Sequence, residues 1–262
     1  MYQNNRNLKG ERMNADGTIV MPKIEKSNLL SKCFGYLFLA ILITFATAII
    51  MNFTFIKFLV NKVTKGDGIA VTNGINIYIG TVIGAAIILI VLSITLNILL
   101  RNGKRNITAP FVLYSVVMGI LMGSLILFIP FEIVFTAIGV TALSFGIMGL
   151  IARFTRKLSS RPFLVVGTAG LLGCLFLTLA LFIIQVAAPG SVLLDMWWID
   201  YLFLFVIMMF TIVDIKNIDR IAQAGVENKN VALYCALTLF NDFVYIFIKV
   251  LLILIRYSAR RK

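Results

Sequence analysis

The stretch Phe210–Leu254 reads FTIVDIKNIDRIAQAGVENKNVALYCALTLFNDFVYIFIKVLLIL. Two apolar runs flank a polar turn, and each run carries an aspartate, Asp214 and Asp242. With both runs helical and the turn centred near Asn228, the aspartates lie 14 residues to either side of it. That is roughly 21 Å at 1.5 Å rise per residue. An antiparallel hairpin in this register brings the two carboxyls to the same height. Asp242 sits well inside its apolar run. A carboxylate there costs about 2.5–3.5 kcal/mol on insertion scales, which makes it a functional candidate by default.

The rest of the chain has the composition of a membrane protein. It is 60% hydrophobic and only 13% charged, with a mean hydropathy of +0.99. A soluble domain runs near 45–50% apolar and about 25% charged. The formal net charge is +13. The basic residues cluster in the gaps between apolar runs, as the positive-inside rule expects. Anionic lipid headgroups are therefore the expected contact, and nucleic acid is not an expected partner.

The three cysteines, Cys33, Cys174 and Cys235, lie in or beside apolar runs and form no CxxC. They are expected to be buried and free, with neither a disulfide framework nor a thiolate metal site. Histidine is absent, so the usual physiological pH switch is missing. Any proton sensing falls to carboxylates in an unusual environment. No metal-ligand cluster, Ser/His/Asp arrangement or phosphate loop is visible, so no enzyme chemistry, cofactor or resident metal is expected.

Residues 1–32 form a polar arm rich in Asn, Lys and Arg, expected to be disordered and cytosolic. Residues 33–256 form the membrane domain, and 257–262 a short basic tail. Seven apolar runs are each near the length needed to cross a bilayer. They cover about Phe34–Phe53 with a possible extension to Val60, Ile75–Leu100, Ala109–Ile129, Phe131–Ala152, Pro162–Val186, Trp197 to Val213 or beyond, and Val231–Ile255. Trp197 and Trp198 are placed as interfacial anchors. Gly80 with Gly84, and Gly119 with Gly123, have the spacing of close helix contacts.

Lys and Arg counts decide orientation. An inside N-terminus puts six in the arm and then three, four and three in the inner loops, against three, none and none in the outer ones. A cytoplasmic N-terminus in the cell membrane follows. The basic tail conflicts with it, because seven crossings put the tail outside. Either the tail tolerates that side or the last element is re-entrant.

The C-terminal half carries a family resemblance. ALTLFNDFVYIFIKVLLIL, from Ala236 to Leu254, resembles the last helix of the Bax inhibitor-1 family, whose pattern is close to A-L-x-L-Y-L-D-F-I-N-x-F. Asp242 and Phe243 fall on its Asp-Phe. FTIVDIKNI resembles the end of the family's sixth helix, with Asp214 on the aspartate of a Y/F-D-x-x-x-I pattern. AIGVTALSFGIMGLIARFTRKLS, from Ala137 to Ser159, and APFVLYSVVMGI are similar to further family stretches. The resemblance covers roughly Leu99 to Leu254. Asn241, Tyr245 and Val213 depart from the pattern, and the second run lacks the acidic residue that some bacterial members carry.

The resemblance implies an all-α integral membrane protein, a seven-transmembrane-helix bundle with the last helix central. It implies a pH-sensitive calcium leak channel with Asp214 and Asp242 as a paired-aspartate sensor. Two carboxyls in contact at low dielectric cannot both ionise cheaply and tend to share a proton, so their titration belongs to the pair. Calcium or another cation is the expected permeant ion. Two carboxylates are too few for a tight calcium site, which takes six to eight oxygens. In the family a basic residue near the place of Arg101 is proposed to meet the dyad. Lys249, about two turns beyond Asp242, either lines a pathway or snorkels to the interface.

Two other readings compete. One is a non-conducting membrane regulator of stress responses or membrane-protein quality control, acting through membrane-protein partners. The other is an intramembrane aspartyl protease, but Asp242 follows Leu239-Phe240-Asn241 where that class has Gly-x-Gly.

Overall fold

Each apolar run becomes one helix. A computed structural model describes residues 12–13, 19–20, 28–64, 68–101, 107–127, 129–155, 159–187, 198–224 and 228–260. The helices are α1 (Leu29–Thr64), α2 (Gly68–Arg101), α3 (Thr108–Ile126), α4 (Phe131–Phe154), α5 (Arg161–Ala187), α6 (Trp198–Gln223) and α7 (Lys229–Arg260). In the N-terminal arm, Arg12–Met13 pairs antiparallel with Ile19–Val20. α1 takes in Leu29–Lys32 of the arm expected to be disordered; apart from Asn28, the remainder of that arm lies outside the described residues, as do Trp197 and the side chain of Trp198.

Among the described residues, six helices are long and apolar enough to cross a membrane, which makes this a multi-pass membrane protein. The exception is α6, which carries Asp200, Asp214, Lys216, Asp219 and Arg220 in 26 residues. Its burial explains how it tolerates them. It packs against α1, α4, α5 and α7, so protein rather than lipid meets most of its charges. α6 also continues ten residues past Val213, and α7 absorbs Tyr257–Arg260 of the expected tail. α7 is unbroken over 32 residues, roughly 48 Å, and is not a re-entrant element.

α7 is the centre of the bundle. It touches α1, α2, α3, α4 and α6. Its Leu233, Leu239, Phe240, Ile246 and Phe247 are almost fully buried. α5 lies at the edge, and α6 is its main contact.

The glycine pairs split. A Cβ on Gly119 would sit 2.6 Å from the Thr44 carbonyl oxygen, and one on Gly123 would sit 3.1 Å from that of Ala48. These glycines let α3 close on α1, and the Thr44 hydroxyl donates across that contact to the Ser115 carbonyl at 3.0 Å. Gly80 and Gly84 have nothing within 4 Å among the described residues, so they mark no close helix approach there. The close approaches of α5 to α6 come instead at Gly167 and Gly170, against Phe210 and Val206. All three cysteines are buried and free.

Candidate functional site

The α6–α7 hairpin has the register expected from Asn228. α6 ends at Gln223 and α7 begins at Lys229. The carboxyls of Asp214 and Asp242 come together and interact directly, with Thr211 beside Asp242. Thr211 is fully buried, and its hydroxyl donates to the Ile207 carbonyl one turn back at 3.0 Å. Asp242 Oδ2 is buried and has no hydrogen-bond partner among the described residues. A buried acceptor left in that state costs about 1–3 kcal/mol, more when charged.

Asn241, one of the departures from the family pattern, is held by α3. The Tyr114 hydroxyl donates to Asn241 Oδ1 at 2.8 Å. The Tyr114 ring meets Phe240 edge-on, with centroids 6.2 Å apart. Phe243 packs against Phe145 of α4 with centroids 5.6 Å apart. Apolar contacts on either side of Asp242 thus fix the turn that presents it. Sequence reasoning missed Tyr114, whose only signal was an aromatic with a hydroxyl in an otherwise apolar run.

Lys249 does not meet the dyad. Its amine donates to Asp200 Oδ1 at 3.1 Å and lies 4.7 Å from the Phe203 ring centroid. Arg256 donates to Asp200 Oδ2. Lys249 is therefore neither a dyad partner nor a simple snorkelling residue. Asp200 and Arg256 obey the hairpin register that pairs Asp214 with Asp242, because each is displaced 14 residues toward the same end. Arg256, the last residue of the expected membrane domain, is the counter-ion of an acid at the start of α6. Arg101 ends α2, but its side chain lies outside the described residues.

Four residues of α7 fall on one stripe. Cys235, Asp242, Lys249 and Arg256 recur every seven residues, which returns nearly to the same helix face. The stripe runs 21 residues, roughly 31 Å, about the thickness of a hydrocarbon core.

Next to the dyad lies a cavity of about 1120 Å³ between α1, α4 and α6. Ile215 and Lys216, which follow Asp214, and Phe243, which follows Asp242, line it. The Lys216 amine lies 4.6 Å from the Phe163 ring centroid. Among the described residues, no group of three or more metal-ligating side chains occurs. The arrangement can exchange protons and interact weakly with cations, and it lacks the ligand number for a tight metal site.

The family model described as "Inhibitor of apoptosis-promoting Bax1" matches residues 26–259. No curated protein matches the chain, and no solved structure does. With a match over nearly its whole length, around a last helix that carries the expected aspartate, the chain belongs to the Bax inhibitor-1 family.

Proposed function

We propose that this protein is a pH-sensitive leak channel for cations, calcium among them, with Asp214 and Asp242 as sensor and gate. The observation that carries the reading is the contact between the two carboxyls with Asp242 Oδ2 buried and unpartnered. The Thr211 hydroxyl reaches both the Ile207 carbonyl and Asp242. A protonated Asp242 can donate to Asp214 or to the hydroxyl oxygen, whereas a carboxylate can only accept.

Protonated, the pair is a latch between α6 and α7. Doubly ionised, it repels itself, and a passing cation offsets the repulsion. Two carboxylates bind calcium too weakly to trap it, which suits passage rather than storage. The stripe from Cys235 to Arg256 supplies polar groups along the central helix for a route across the membrane. In this reading the protein is not an enzyme, sits in the cell membrane with its N-terminus in the cytoplasm, and meets anionic headgroups through its basic loops.

The test is calcium flux into liposomes containing the purified protein, from about pH 5.5 to 8.5, with Asp242→Asn alongside. Flux that varies with pH in the wild type and loses that dependence in the variant is the expected result. No flux above that of empty liposomes at any pH would sink the channel and leave a regulator acting through membrane-protein partners.

A further inference from the structure

Cys33 of α1 and Cys235 of α7 lie side by side, thiol against thiol. Cys33 is 0% exposed and Cys235 is 2% exposed, and both belong to the main core of the bundle. Small residues make the meeting possible. Ala232 and Ala236 flank Cys235 on α7 and are fully buried. Ala232 packs in one cluster with Leu29, the first residue of α1. A disulfide needs its two backbones close and its Cβ atoms facing, and alanines beside a cysteine let helices approach that closely.

Cys174 provides the contrast. It is equally buried, yet it lies on α5 with no second thiol beside it among the described residues. Burial alone normally keeps a cysteine inert. The first pair differs in a second respect as well. Leu30 and Leu37, one turn to either side of Cys33 on α1, line the large cavity beside the dyad. The helix turns on either side of Cys33 thus open onto that cavity.

We propose that Cys33 and Cys235 are a redox-active dithiol, which a peroxide converts to a reversible disulfide joining α1 to α7. One sulfur, as thiolate, attacks a peroxide oxygen. The O–O bond breaks, and the leaving hydroxide takes up the proton that this thiol lost, giving water and a sulfenic acid. The second sulfur attacks the sulfenic sulfur, the S–S bond forms, and the S–O bond breaks. The departing hydroxide leaves as a second water with the second thiol's proton. Two electrons pass from the sulfurs to one peroxide molecule. A dithiol reductant reverses the change by exchange. Disulfides facing a reducing compartment are usually transient and sensing rather than structural.

Cys235 lies two turns before Asp242 on the same face of α7, and Asp214 lies near it. The bond would therefore restrain the helix that carries the sensor. That consequence rests on the function proposed above, whereas the disulfide itself does not.

The test is a thiol count on the full chain, purified in detergent, treated with hydrogen peroxide and then denatured and alkylated. The chain starts with three thiols. The expected result is a fall from three to one, with Cys174 left free, a Cys33–Cys235 linked peptide in non-reducing mass spectra, and three thiols restored by dithiothreitol. In Cys33→Ser, the linked peptide is expected to vanish and both remaining thiols to persist. No loss of thiols would overturn the proposal, as would loss of Cys174 in step with the other two or loss without the linked peptide. The wild-type arm needs no variant to fold. It reads the bond whether or not the protein conducts, so failure here is distinct from failure of the channel reading.

Discussion

The α6–α7 seam carries two polar layers that obey one register and have opposite character. In one layer Asp214 faces Asp242, acid against acid. In the other, 14 residues away along both helices, Asp200 is held between Lys249 and Arg256. The second layer satisfies both carboxylate oxygens with charged donors. The first leaves a buried oxygen without a partner. Asp200 is buried and the two dyad aspartates are half-buried, and the layers differ above all in whether the charges balance. A balanced layer ties helices together. An unbalanced one stores a choice between protonation, a cation and separation, which is what a gate requires.

Removing the carboxylate from each layer should therefore have opposite consequences. Asp200→Asn leaves two cations facing an amide, with the Asp200 side chain only 10% exposed. Stripping one partner from a buried pair strands the other. Because Arg256 is half exposed, the expected cost is about 2–3 kcal/mol rather than the full 3–5 kcal/mol. Thermal unfolding in nanodiscs checks it. A cost below about 0.5 kcal/mol would mean the layer is no tie.

Asp242→Asn should move stability by less than about 1 kcal/mol, because an amide donates to Asp214 and ends the repulsion between carboxyls. Its expected effect lies elsewhere: the pH dependence of flux should flatten. If this variant instead unfolds as readily as Asp200→Asn, the dyad is a structural link and the contrast between the layers collapses.

The dyad was legible in the chain because it needs only two helices and the position of a turn. The same arithmetic around Asn228 sends Asp200 to Arg256, yet that pair went unread. Arg256 stood among tail charges and Asp200 beside an interfacial tryptophan pair, where ionised side chains are unremarked. Lys249 was read as lining a pathway or snorkelling, and its partner Asp200 went unread because a long flexible stem reaches a full turn along its helix. The glycines teach a related lesson. Gly80–Gly84 and Gly119–Gly123 have the same spacing, and among the described residues only the second pair meets another helix. Spacing shows where a backbone can be approached. Which helix arrives depends on the whole bundle. Seven helical segments followed from hydropathy alone, while the exclusion of α6 from the apolar set came from charges that its neighbours cover.

A smaller effect tests how the acid layer is aimed. Tyr114→Phe keeps the ring against Phe240 and removes the donor to Asn241. One neutral hydrogen bond is worth about 1 kcal/mol, and the loss in thermal stability should match it. Tyr114 fixes the residue next to Asp242, so the midpoint of pH-dependent flux should shift as well. An unchanged midpoint would restrict Tyr114 to packing.

The smallest expected effects lie within the balanced layer, where the two cations are not equivalent. Lys249 is 25% exposed along its side chain and Arg256 is 53% exposed. Lys249 also rests against Phe203, so its position is fixed from two sides. Lys249→Met keeps the length and the contact with the ring but leaves Asp200 Oδ1 without its donor. Arg256 still neutralises the charge, which limits the cost to about 1 kcal/mol. Arg256→Met removes a more solvated partner, for which about 0.5 kcal/mol is expected, as at an exposed ion pair. If the two layers differ because one is balanced, the double variant should cost more than the sum, because only then does Asp200 become a lone buried acid. A double-mutant cycle on thermal unfolding measures that excess. An additive result would show that the Asp200 layer, like the dyad, holds its acid without needing a counter-charge.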